Sequence, residues 1–170
     1  MFHDTHVHKW HPPSQCHTIT GTWANAAGAV GNVIVHKKTA NAETSILTIP
    51  LELPMNDGPI KGAYLISVDV YTQQLSAATT TTDAAIHRVT TPVHGAAIGA
   101  IEVLPFSYDT GNDAAAERDD QDEHCMTLTL TDPVWVEDDH VIQVQLTFVC
   151  GGAVVVDYIG ARANYTYRLG

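Results

Sequence analysis

The chain has 170 residues, of which 45% are hydrophobic and only 16% charged, and its formal net charge is −11 with ten neutral histidines. A single domain of this size buries roughly 70% of its unfolded surface, so it needs neither metal nor disulfide to fold. The acidic balance repels phosphate backbones and no apolar run reaches transmembrane length, so neither nucleic acid nor membrane is an expected partner.

Residues 1–15 read as an irregular His-rich arm, marked by Pro12-Pro13, ahead of a single domain at 16–170. The arm lacks the apolar stretch of a secretory signal, so no signal peptide is expected. Chain ends fray unless something holds them. Phe2, Val7 and Trp10 are therefore expected to anchor this arm on a neighbouring molecule, and deleting residues 1–12 should weaken association and spare the fold. His3, His6, His8 and His11 form a candidate divalent-metal set, although the spacing matches no closed structural zinc site. No other cofactor is expected.

Strands are expected at 16–23, 30–37, 44–53 and 61–73, with a turn at Asn56-Asp57-Gly58-Pro59. Residues 76–83 read as a polar loop or edge, and 84–91 as a strand stopped by Pro92. The next strand, 97–108, is interrupted by Pro105, which implies an edge or a bend. An acidic loop follows at 110–122, with room for one helical turn near Ala114. Its run Glu117-Arg118-Asp119-Asp120-Gln121-Asp122-Glu123 offers oxygen ligands but lacks the spacing of a calcium loop.

The clearest pattern comes next. Met126, Leu128 and Leu130 alternate with threonines, and Ile142, Val144, Leu146 and Phe148 alternate with polar residues. A two-residue period places one apolar row on one face of each strand, and the pair reads as an antiparallel hairpin with Glu137-Asp138-Asp139 at its tip. Residues 153–168 add one or two strands. The count is eight or nine, and the fold class is an all-β, jelly-roll-like antiparallel sandwich with an irregular N-terminal arm. Cys16, Cys125 and Cys150 are an odd number and read as free thiols, although Cys125 and Cys150 flank the hairpin and could be cross-strand neighbours.

Asp4-Thr5-His6-Val7-His8 resembles the first-strand His-x-His of amidohydrolases, whose two histidines hold a catalytic metal. That family needs a (β/α)₈ barrel of about 250 residues; this chain is shorter and has no alternating helices. With no nucleophile elbow and no phosphate loop either, no enzyme is expected.

Residues 107–148, with the ending 160–169 and more loosely 65–89, resemble small β-sandwich proteins of phage and environmental viral sequences. The resemblance implies a virion component made in the host cytoplasm: a capsid decoration or other jelly-roll subunit. Its expected partners are further copies of itself, trimers among the expected assemblies, and other virion proteins. One alternative is a tail-fibre or carbohydrate-binding module, which requires exposed aromatic residues clustered in one groove, and Trp10, Trp23 and Trp135 are the tryptophans available. A second alternative is a self-assembling extracellular filament or surface-layer subunit.

Overall fold

A computed structural model describes residues 5–29, 33–39, 41–54, 60–91, 100–152 and 154–169. Phe2, His3, the 56–59 turn, Pro92 and the start of the expected 97–108 strand lie outside them. The strands are β1 (Thr5–His11), β2 (His17–Thr20), β3 (Trp23–Ala27), β4 (Ile34–Lys38), β5 (Glu43–Leu51) and β6 (Ile60–Gln74). They continue with β7 (Thr81–Thr90), β8 (Ile101–Leu104), β9 (Phe106–Tyr108), β10 (Glu123–Val136), β11 (His140–Cys150) and β12 (Val156–Leu169). One short helix, α1 (Ala115–Asp119), precedes β10 at the expected helical turn. Among the described residues no helix is long and apolar enough to cross a membrane.

Two antiparallel sheets form a jelly-roll-like sandwich. One runs β3-β4-β12-β6-β10-β9, with β1 also paired to β12; the other runs β2-β5-β11-β7-β8. The alternating rows meet between them. Met126, Leu128 and Leu130 of β10 face Ile142, Val144, Leu146 and Phe148 of β11 in a single buried cluster. Burying each such side chain contributes about 1.5–3 kcal/mol, which makes this row the main driving force of the fold.

The alternation is as expected, but the pairing differs. β10 pairs with β6 and β9, and β11 pairs with β5 and β7, so the two strands belong to opposite sheets and make no hairpin with each other. Two apolar rows can bury each other equally well across a sandwich, and periodicity alone does not separate the cases. Cys125 lies exposed on one sheet and Cys150 is buried in the other; both are free, as is Cys16.

The strand count rises to twelve among the described residues for local reasons. Gly21, at φ +95°, turns the chain between β2 and β3. Pro105 divides β8 from β9, and the division carries the chain from the five-stranded sheet to the seven-stranded one. The polar tract at 76–83 is partly strand, and its Thr79 and Thr82 are buried, sharing a hydrogen bond at 2.7 Å.

The N-terminal segment is the largest correction. Residues Thr5–His11 are a strand, not an irregular arm, and they pair antiparallel with β12 from Thr5↔Tyr167 to His11↔Ala161. Val7 packs against the core of its own domain. His11 is fully buried, and neither ring nitrogen has a hydrogen-bond partner among the described residues. Burial first, then the neighbouring charge of Lys9, lower its pKa; Glu52 and Gln15 oppose this, Gln15 without reaching good bonding geometry.

That burial has a consequence for acid stability. A histidine held neutral in the fold takes up its proton more readily when unfolded, so His11 costs nothing above its unfolded pKa of about 6.5 and destabilises the fold as pH drops below it. The melting temperature should fall between pH 7 and pH 5, and H11F should show a shallower fall. Equal slopes for the two proteins would remove His11 as a cause.

Candidate functional site

The outer face of the seven-stranded sheet carries the candidate site. Ala63, Leu65, Val68 and Val70 of β6 point into the core, as do Ala161, Ala163 and Tyr165 of β12. Alternation therefore turns Tyr64, Ser67, Asp69 and Tyr71 outward, beside Arg162 and Asn164 of β12 and Thr127 of β10. On β1, the register sets His6, His8 and Trp10 opposite Thr166, Asn164 and Arg162. The edge strand thus completes this face.

Two aromatic pairs mark it. The Trp10 indole lies across Gly160, where a Cβ would come within 2.3 Å of the ring, and its centroid is 5.5 Å from that of Tyr71. Trp135 lies in the same way across Gly62, with Tyr64 at 4.5 Å. Glycine is required at both places because the ring occupies the space of a side chain and φ is positive, at +148° and +114°. Trp10 is 47% exposed and Tyr64 43%.

A fixed polar network runs beside Trp10. Asp69, only 4% exposed, accepts hydrogen bonds from Thr127 Oγ1 at 2.8 Å, Arg162 Nε at 2.9 Å and Asn164 Nδ2 at 3.1 Å. Arg162 Nη2 lies 2.8 Å from the same carboxylate. Asn164 also donates to Ser67 Oγ at 3.0 Å, and its carbonyl lies 2.6 Å from His8 Nδ1. Because an amide oxygen only accepts, His8 must carry a proton on Nδ1 to make this bond. Burial pushes the Asp69 carboxyl up, but the bonds from Asn164, Arg162 and Thr127 outweigh it and hold the group below the usual carboxylate range. The network therefore stays ionised through mild acid. Its donors are preorganised, and Arg162 keeps N–H groups to spare at the surface.

The histidine set expected to bind metal is divided among the described residues. His6 and His8 stand on the outer face, His11 points into the core, and His3 lies outside the described residues. Among the described residues, Glu137, Asp139 and His140, at the turn between β10 and β11, bring potential ligand atoms within 4.8 Å of one another. The acidic run before β10 instead borders a hollow of about 200 Å³ that includes Glu117, Asp120, Asp122 and His124. The sequence reading missed the Asp69 network altogether. The signal open to it was the alternation of His6, His8 and Trp10 with Val7, Lys9 and His11.

No protein-family model and no curated protein sequence matches the chain. Solved structures similar to it include the CBM22-1–GH10 modules of the Clostridium thermocellum xylanase 10B complexed with xylohexaose (TM-score 0.47, 9% identity, 100% of this chain and 29% of that one). A carbohydrate-binding module, CBM36, in complex with calcium and xylotriose is similar at TM-score 0.42 and 10% identity over 94% of this chain and 98% of that one. The K1 cleaved adhesin domain of Lys-gingipain from Porphyromonas gingivalis gives 0.43 and 12% over 94% and 97%. Likenesses of this size reach no further than the arrangement of the two sheets.

Proposed function

We propose that this domain is a non-catalytic carbohydrate-binding module whose ligand lies along the outer face of the seven-stranded sheet. The observation that carries the reading is the exposed Trp10, paired with half-buried Tyr71, set beside the Asp69–Arg162–Asn164–His8 network. A pyranose presents an apolar face of C–H groups and a rim of hydroxyls. An exposed indole matches the first, and fixed donors and acceptors match the second. Trp135 and Tyr64 repeat the aromatic half of this arrangement further along the sheet. Two platforms on one face suit an extended chain of sugars better than a single residue. The net charge of −11 favours neutral glycans over acidic ones.

W10A is expected to weaken oligosaccharide binding about tenfold or more, as loss of a central aromatic anchor does. Isothermal titration with the folded variant, checked by circular dichroism, measures it. Unchanged affinity would remove Trp10 from the site and with it this reading.

A second reading, a structural subunit that self-assembles, is supported by one observation. Among the described residues β8 is an edge strand that exposes Ile101 and Val103, with the exposed Val141 of β11 on the far side of β7. Apolar residues on an open strand edge invite pairing with another copy. Light scattering after size-exclusion chromatography separates the readings: a monomer that binds glycans supports the first, and trimers or rings support the second.

A further inference from the structure

A cavity of about 200 Å³ opens on the same outer face, at the end of the Trp10–Tyr71 platform. Its walls are apolar: Ala29 from beside the β3–β4 hairpin, Val33 and Val35 from its other arm, and Ile159 of β12. Gln73 and Glu123 form the polar rim, joined by a bond from Gln73 Nε2 to Glu123 Oε1 at 3.1 Å. The cavity adjoins the platform through two chain neighbours. Ile159 precedes Gly160, on which the Trp10 indole rests, and Gln73 follows Tyr71 by one alternation on the same face of β6.

The chemistry of the cavity is asymmetric. Its remaining polar member, Asp157, is enclosed beneath the cavity with Lys37 Nζ 3.3 Å away as its ion-pair partner, and neither carboxylate oxygen has a hydrogen-bond partner among the described residues. What the cavity offers a ligand is a greasy interior and a rim of acceptors, since a carboxylate accepts several bonds and Glu123 has used one oxygen on Gln73. A bare hexose, with a rim of hydroxyls and no methyl group to insert, gains little from such a floor. A small apolar group attached to an N–H donor fits both parts.

We propose that this cavity is a subsite for the acetamido group of a neutral N-acetylhexosamine, its methyl among Val33, Val35 and Ile159 and its amide N–H donating to Glu123. The assignment rests on the outer face being a carbohydrate site, and it narrows the glycan to one class. A carboxylated N-acetyl sugar is disfavoured, because its charge would meet Glu123 and a strongly acidic protein.

The test compares triacetylchitotriose with cellotriose, which has the same linkage and length but no acetamido groups, by titration calorimetry on the whole chain. The acetylated trimer should bind about tenfold or more tightly, the range expected when a methyl group fills or misses an apolar pocket. V33F, at an exposed position on the cavity wall, should abolish that preference. Equal affinity for the two trimers in the wild type, or a preference that survives V33F, overturns the subsite while the Trp10 platform stands. If neither trimer binds, or if W10A alters neither affinity, the carbohydrate reading falls and takes the subsite with it.

Discussion

A chain lacking residues 1–12 is expected to lose on the order of 5 kcal/mol of folding stability, a large share of what a domain of this size possesses. The reason is that β1 is an integral strand. It pairs with β12 along its whole length, so its removal exposes the backbone edge beside Ala161, Ala163 and Tyr165, all of which are buried. Val7 and His11 leave the interior with it, and the hole they vacate lies against the apolar cluster. The ion pair of Lys9 with Glu52 is lost too, but both side chains are substantially exposed and the pair contributes little. Denaturant titration of the truncated and full chains measures the difference, and the melting temperature should drop by roughly 10–20 °C. The truncated chain should also lose glycan affinity, because it lacks Trp10 and the His8 partner of Asn164. A truncated protein with an unchanged midpoint would mean that the strand is a detachable arm, as its composition first suggested.

The contrast between β1 and β11 explains how much of the molecule could be read in advance. In β11 the apolar residues Ile142, Val144, Leu146 and Phe148 fall on every second position, and burial follows the same beat. There the physics of the fold is written in hydrophobicity. In β1 the inward positions are Val7, Lys9 and His11, of which only one is a hydrocarbon, and the outward positions include the large Trp10. Inverted polarity hides a strand because the energy holding it is backbone pairing at a sheet edge, which any residue type supplies. The candidate site was illegible for a related reason. Asp69, Thr127, Arg162 and Asn164 come from three strands up to 95 residues apart in sequence, and only the register brings their side chains together. The tryptophans were visible as candidates, and His8 only as a metal ligand. Of the three, Trp10 and Trp135 join the outer face, whereas Trp23 turns toward His36 and Phe148.

Gly160 is the position where fold and face depend most directly on each other, and G160A should cost about 3 kcal/mol. Two separate effects add there. The backbone at φ +148° lies in a region that L side chains rarely adopt, so alanine is strained whatever its surroundings. A Cβ would also stand 2.3 Å from Trp10 Cζ2 and 3.0 Å from the His11 carbonyl oxygen, so the indole must shift. The two parts can be separated by a double-mutant cycle. In the W10A background the ring clash is gone while the backbone strain remains, so G160A should cost about 1–2 kcal/mol less there than in the wild type. The same displacement should lower oligosaccharide affinity in G160A nearly as far as in W10A, because the indole would no longer hold its place beside Tyr71. If G160A destabilises both backgrounds equally and leaves affinity intact, the tryptophan does not rest on Gly160, and the platform described here is not the one the protein presents to its ligand.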